Sequence, residues 1–581
     1  MYDVLKVIAL SGCLASAACA ANSVQTTEPA DMVLLNGAFY TVDEGKPRAE
    51  AVAIDDGRFV YVGDVEGASA YIGEGTIQAD LDGKFVVPGM IDGHTHPAIN
   101  GLLSYDAFLP SGGHEETLQA LRKIAEEKPG DGWLNLCCYP YPAYIGDGKT
   151  GPDKKHLDEI FPDRPVWIRS SSAHGSWLNS KALEMIGVTS ETPDPAPYVA
   201  FYQRDEDGEL TGWIAEGAGW QHAAAQFPTN PEKVKAAVDF GLQKLKEFGV
   251  TTVYDAGNFG HLDEVYSYLA ELEAAGELDV RYDGTVMVFV PEARHAAIDE
   301  MKRLQTAYGG ERLQFRTVKL FMDGVTPELA AGLIEPYTGY PDRPTSTSLS
   351  VEDLRDWMLD LHEAKLDLHV HAYGDLAVRR VLDAVELARA EVGESFYPRV
   401  TVAHLLLIDE ADWPRFAELG VNANFTPHWH GTLEAEMPDG LIGPERADHI
   451  HPSNALLAAG ANVTFSSDSF APSKYNPMMG IQIAHNRRAL EYRLPEGTGP
   501  DEFRGPESEK MDIHDMIVGY TRNGTIPFRT EEDLGTIAVG KLADLAILNA
   551  SPFEVDRLAI ADIVPDVVLM EGEVILGTLN P

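Results

Sequence analysis

Three textures of apolar and polar residues follow one another along the 581-residue chain. From Met32 to Val87, short apolar runs alternate with turn signals: Val33-Leu34-Leu35 before Asn36-Gly37, Ala51 to Ile54 before Asp55-Asp56-Gly57, and Phe59 to Val62 before Gly63-Asp64. Runs of this length, bounded in this way, predict β-hairpins. The far end repeats the texture in Leu545 to Leu548, Val567 to Met570 and Val574-Ile575-Leu576, around Glu571-Gly572-Glu573. An isolated hairpin is marginal in water, so strands from both ends are expected to share one core.

Between the ends, strand-like runs alternate with amphipathic stretches. Gly249 to Ala256 follows a helical pattern from Pro231 to Phe248, and Leu366 to His371 precedes one from Leu376 to Val392. Such alternation predicts an α/β fold in which a parallel sheet is closed by helices. The expected architecture is a (β/α)8 TIM barrel over residues 89–535, with a small β-sandwich built from residues 21–88 and 536–581. A long insertion after barrel strand one is placed at about 101–235, where Pro, Gly and Trp break the rhythm.

With 44% hydrophobic and 23% charged residues the chain has the material for a large core and is not disordered by composition. Lys and Arg number 45 against 91 Asp and Glu, a net charge of −46 that repels phosphate backbones and argues against a nucleic-acid partner. Lys6, the apolar run Val7 to Ala17 and the Ala18-Cys19-Ala20 cleavage pattern read as a secretory signal peptide over residues 1–20. Export to the periplasm or beyond is expected. Leu10-Ser11-Gly12-Cys13 also resembles a lipobox, which makes a lipid anchor at Cys13 the alternative. No later run is long enough to span a bilayer, so no transmembrane segment is expected. Beyond the leader only the adjacent Cys137 and Cys138 remain. They are expected as half-buried thiols, with a vicinal disulfide or a dithiolate metal site as alternatives.

The chemistry begins at Val86-Val87-Pro88-Gly89-Met90-Ile91-Asp92-Gly93-His94-Thr95-His96. Strand periodicity puts the two imidazoles on one side, where they can share a metal. Alone, His-x-His is a weak signal, but within this frame the sequence resembles the amidohydrolase superfamily, whose signature P-G-x-[IV]-D-x-H-x-H ends the first barrel strand. The resemblance spans nearly the whole chain beyond the leader. It implies a bridging group at strand four, histidines at strands five and six, and an aspartate at strand eight. Lys319, in the apolar run Val318 to Met322, matches members whose lysine is carboxylated by CO₂ to bridge two divalent ions. Burial lowers a lysine pKa, in the direction that reaction needs. His371, in His371-Ala372-Tyr373-Gly374-Asp375, and His404 are assigned to the second ion; His369 is read as packing or as support for a ligand. Asp468, in Ser466-Ser467-Asp468, is the strand-eight carboxylate.

The frames Arg169 to His174, Val318 to Gly324, His371 to Asp375 and Gly443-Pro444-Glu445-Arg446 look like the YtcJ-type group, similar to N-substituted formamide deformylase. By that resemblance His174 lies over the metals, to polarise an oxyanion or bind substrate, with a buried structural histidine as the alternative. His428 and His430 fall near the end of strand seven, and Trp177, Trp213 and Trp429 are candidate aromatic walls. His174, His428, Trp177 and Asp323 are the candidate substrate contacts, and Asp468 and His174 the catalytic pair.

The resemblance therefore implies two divalent ions, Zn²⁺ first and Mn²⁺ as the alternative, bound by His94, His96, Lys319, His371, His404 and Asp468. The ions hold and acidify a water; Asp468 takes its proton and returns it to the departing nitrogen. The expected activity is hydrolysis of a non-peptide C–N bond, amide, N-formyl or carbamate-like, in a small molecule. A mononuclear deaminase of cyclic C=N bonds and a non-catalytic exported binding protein are the rivals. Homo-oligomerisation is left open.

Overall fold

A computed structural model describes residues 28–579, apart from 103–104, 147, 228, 432–439, 470–475, 491–493, 495–498 and 500 and the side chains of 100, 101 and 224. The signal-peptide and Cys13 readings lie outside the described residues. Eight parallel strand positions follow in chain order: Met90–Thr95, Val250–Asp255, Arg281–Asp283 with Met287–Val288, Leu313–Gln314 with Thr317–Phe321, Asp367–Ala372, Val400–His404, Asn422–Phe425 and Asn462–Phe465. Each pairs in parallel with the next. The third and fourth positions are each interrupted, so the ladder divides into a four-stranded and a six-stranded sheet. At the far side the Asp468 N–H donates to the His94 carbonyl at 2.8 Å, linking the eighth position to the first. Helices run between the strands, and the arrangement is TIM-barrel-like.

Local chemistry explains these helices. In Pro231–Glu247 the Asn230 side chain accepts from Lys233 N and Pro231 occupies the first turn, where its missing N–H costs nothing. In Val351–Ala364 the Ser350 side chain accepts from Asp353 N, and Leu354, Trp357, Met358 and Leu361 form the buried stripe at helical spacing.

The chain ends meet. Leu545–Leu548 runs antiparallel to Phe85–Pro88 in a six-stranded sheet, and a second sheet of four strands comes from residues 32–80. Leu34, Phe39, Val52, Phe59, Val86, Leu545, Ile547 and Leu569 belong to one buried cluster that draws on both sheets. Phe85–Pro88 then leads directly into the first barrel strand, so this core anchors the strand that carries His94 and His96.

Between the first two barrel strands lies another six-stranded sheet, made from Ala107–Phe108, Leu134–Tyr139, Val166–Ser170, Gly175–Leu178, Tyr202–Arg204 and Leu210–Ala215. Its apolar face shares a cluster with Val325, Leu329, Leu333, Tyr373 and Leu406, residues that follow barrel strands four, five and six. The inserted sheet is thereby packed over the C-terminal ends of those strands. Cys137 and Cys138 form a disulfide, where half-buried thiols were expected. The strand bulges between Cys137 and Tyr139, and Cys138 adopts φ +78°, a turn that breaks the alternation separating neighbouring side chains. Among the described residues no helix is long and apolar enough to cross a membrane.

Candidate metal centre

The first strand delivers two imidazoles to one spot because residues two apart share a side of it. A Cβ on Gly93 would sit 2.6 Å from Asn424 Nδ2 and 3.4 Å from the Phe465 carbonyl oxygen, so the Asn424 amide packs over the glycine of this strand. Asp92 ties the two ends of the ladder: its Oδ1 accepts from His94 N at 3.2 Å and Ser467 N at 3.0 Å. Burial pushes the Asp92 carboxyl up to about 7 against those hydrogen bonds.

The two imidazoles of the first strand are each aimed by their Nδ1. His94 Nδ1 lies 2.9 Å from His369 Nε2, and His369 stacks on Tyr254 with ring centroids 4.5 Å apart. His96 Nδ1 lies 2.8 Å from the Gly257 carbonyl oxygen, which makes it the protonated nitrogen and leaves Nε2 as a lone pair. The two Nε2 atoms come within 3.5 and 3.4 Å of Asp468 Oδ1. His404 Nδ1 lies 3.7 Å from Asp468 Oδ2, and the rings of His371 and His404 are 4.3 Å apart. Lys319 Nζ is 3.2 Å from His94 Nε2. Ligand atoms of His94, His404 and Asp468 all lie within 4.8 Å of one another. His404 and Asp468 also adopt φ of +79° and +42°, strained values that cluster at functional sites.

The electrostatics suit a cation that is supplied rather than built in. Burial pushes the Lys319 ammonium down to about 7, only partly countered by Asp468. Burial, then neighbouring cationic groups, hold His94, His369, His371 and His404 well below the ordinary imidazole value, so they are neutral donors. Asp468 Oδ1, His404 Nδ1 and His371 Nε2 are buried without a hydrogen-bond partner. Orphaned lone pairs on imidazole and carboxylate, next to a lysine that is readily neutral, fit divalent metal ions.

His94, His96, His174, Lys319, His371, His404 and Asp468 line one cavity of about 20 Å³, with Trp220, Phe259 and Phe321 as walls. His174 Nδ1 lies 2.6 Å from Glu216 Oε2, while Glu216 Oε1 accepts from Val325 N at 2.9 Å. Burial alone would lower the His174 pKa, but Glu216, with Asp468 and Glu328, raises it above the ordinary value. The Ser172 hydroxyl donates to Glu328 at 2.7 Å and accepts from His174 N at 3.1 Å, which fixes the loop carrying the imidazole.

Three expected substrate contacts lie elsewhere. Trp177 is fully buried against Tyr139 and Tyr144, because its place in Gly175–Leu178 turns it into the core of the inserted sheet. Asp323 has no exposure; it accepts from the N–H groups of Gly332, Tyr373 and Gly374 and so pins the loops after strands four and five. His428 is buried with Nε2 3.2 Å from the Asn476 carbonyl oxygen and does not line the cavity. Trp213 donates to Glu328, whereas Trp429 stacks on His404 at 5.4 Å. Glu216, Trp220, Phe259 and Phe321 were not foreseen. Glu216 had a signal, an acid in the apolar, glycine-rich turn Ala215-Glu216-Gly217-Ala218-Gly219, where it takes φ +54°.

The pattern of the amidohydrolase family matches residues 79–576. The YtcJ protein of Bacillus subtilis is 27% identical over 536 residues, covering 90% of this chain and 94% of its own. The N-substituted formamide deformylase of Arthrobacter pascens is 25% identical over 555 residues, covering 91% of this chain and 95% of its own. An uncharacterised metal-dependent hydrolase from Pyrococcus horikoshii OT3 has a similar fold, with TM-score 0.66 and 24% identity, covering 90% of this chain and 99% of its own.

Proposed function

This chain belongs to the amidohydrolase family, and from that premise we propose that it is an exported metal-dependent hydrolase of a non-peptide C–N bond, with N-formyl amides as the leading substrate class. The observation that carries the reading is Lys319: a fully buried amine, its pKa pushed down to about 7, 3.2 Å from His94 Nε2 in the cavity shared with His96, His371, His404 and Asp468. Carboxylated, Lys319 would bridge two divalent ions, one held by His94, His96 and Asp468 and the other by His371 and His404. Zn²⁺ suits this mixture of imidazole and carboxylate, with Mn²⁺ as the alternative. Bound there, such ions lower the pKa of water toward neutrality and polarise a carbonyl.

The protein's own groups supply the rest. Asp468 accepts the proton of the attacking water and returns it to the nitrogen, which is a poor leaving group as an anion. His174, whose Nδ1 is engaged by Glu216, offers Nε2–H to the carbonyl oxygen, and the raised pKa keeps that proton in place. Trp220, Phe259 and Phe321 wall the cavity beside these groups with apolar surface. The resemblance to a formamide deformylase across most of both chains supports the N-formyl class.

The test is metal per chain by elemental analysis, for protein purified with bicarbonate and for Lys319→Ala, alongside a screen of N-formyl amines, N-acyl amines, carbamates and cyclic amidines. Two ions, lost in part on removal of Lys319, with amine release from an N-formyl amine, are expected. One ion insensitive to Lys319, with ammonia released from a cyclic amidine, would replace the reading with a mononuclear deaminase; no metal and no turnover would overturn it. Export is tested by fractionating cells and sequencing the mature N-terminus.

A further inference from the structure

A second and larger cavity lies beside the metal centre. It holds about 300 Å³, is walled by Trp133, Trp167, Phe227 and Phe259, and carries Arg169 and Lys233 among its lining. Phe259 also lines the metal cavity, so one aromatic side chain borders both spaces. The volume lies at the lower end of the range for small-molecule sites and suits a single ring or a fused pair.

Arg169 is the informative residue. It sits on Val166–Ser170 two positions after Trp167, on the same face of the strand, and is 7% exposed. Its guanidinium makes no hydrogen bond or ion pair among the described residues, whereas the two other buried arginines described, Arg487 and Arg488, both donate to backbone carbonyls. A buried, always-charged fork with five donors and no acceptor is costly unless something supplies the acceptor. Lys233 donates to the Leu102 carbonyl oxygen at 2.5 Å, and the carboxylate in the lining, Asp106, accepts from Asn135 N at 2.9 Å. Two cations to one anion reverse the balance of the chain, which has 45 basic and 91 acidic residues.

We propose that this cavity is a binding site for a small aromatic carboxylate, its acid group paired with Arg169 and its ring held among Trp133, Trp167 and Phe227. A planar carboxylate matches the guanidinium fork in two parallel hydrogen bonds, and a ring edge or face matches the aromatic walls. The site adjoins the metal cavity at Phe259, and binding at Arg169 does not require the metal.

Calorimetric titration with benzoate and with its neutral isostere benzamide tests the proposal, on metal-loaded and on chelated protein. Benzoate is expected to bind both forms alike, with benzamide at least about tenfold weaker, as loss of a charge-assisted hydrogen bond requires. Arg169→Gln should weaken benzoate by at least about tenfold, with Arg169→Lys in between. Ala223→Phe, which fills the cavity without removing a polar group, should abolish binding even where Arg169→Gln does not fold. Equal binding of benzamide, binding retained in Ala223→Phe or Arg169→Gln, or binding that disappears with the metal would overturn the site. Competition by benzoate against an N-formyl substrate would identify the occupant as the substrate's own acid group, and binding without competition a separate aromatic acid; either keeps the site.

Discussion

In metal-free protein Lys319 is a liability, and replacing it with methionine should stabilise the fold that it cripples as an enzyme. The fall of its pKa from 10.5 to about 7 corresponds to about 5 kcal/mol, at 1.36 kcal/mol for each tenfold in proton affinity. The sign follows from proton counting. Between pH 7 and 10.5 the unfolded chain binds the lysine proton and the folded chain does not, so stability rises with pH across that window, and the full cost applies at and below pH 7. Methionine keeps most of the apolar stem and removes the amine. For a chain of this length an entropy of melting on the order of 1 kcal/mol/K turns about 5 kcal/mol into a rise of about 4 °C. Scanning calorimetry on chelated protein should therefore show Lys319→Met melting higher than wild type at pH 7, with the gap closing toward pH 10.5. Addition of Zn²⁺ and bicarbonate should reverse the order, because only the wild type gains the full binding energy. A chelated variant that melts no higher than wild type at pH 7, or a gap that is the same at pH 7 and pH 10, would mean that Lys319 is charged and paired in the fold, and the argument for a readily carboxylated amine would fail.

Three other substitutions separate the roles assigned around it. Asp468→Asn should lower kcat by about 10² to 10⁴-fold, the usual worth of a positioned acid–base group, while elemental analysis still finds metal; full activity would remove Asp468 as the proton carrier. Glu216→Gln takes away the group that outweighs burial at His174, so the alkaline limb of the kcat/KM profile should move to lower pH, and an unmoved limb would show that His174 does not act as a donor. His369→Phe removes the partner 2.9 Å from His94 Nδ1 and should weaken metal affinity by about 10 to 100-fold, measured by competition with a chromophoric chelator; unchanged affinity would reduce His369 to packing.

The candidate metal site, His94, His404 and Asp468, was legible because these residues lie at or just beyond the C-terminal ends of apolar strands, where alternation and a fixed order along the chain leave little freedom. His94 and His96 end Met90–Thr95, Lys319 lies in Thr317–Phe321, and His371 and His404 belong to Asp367–Ala372 and Val400–His404. The pairing of the chain ends was legible for a similar reason, since hairpin texture without enough strands for a core implies a distant partner. What could not be read is what depends on loops and on the inserted sheet. Glu216 reaches His174 across 42 positions through a positive-φ turn, and Gly324 leaves room for it, since a Cβ there would lie 2.3 Å from Glu216 Oε1. No local periodicity encodes that meeting. Trp177 was misplaced by the converse error: a tryptophan three residues after His174 looks like a pocket wall, but strand alternation turned it into the core beside Tyr139, and Trp220, on the helix Gly217–Gln226, took the wall instead. The same alternation sends Trp167 and Arg169 to the opposite face from Ile168 and Ser170, and so builds the second cavity from a segment whose sequence had drawn attention only to His174. Strands of the barrel therefore gather the candidate metal ligands, whereas the inserted sheet supplies what lies around them, Glu216 behind His174 and Arg169 in the second cavity.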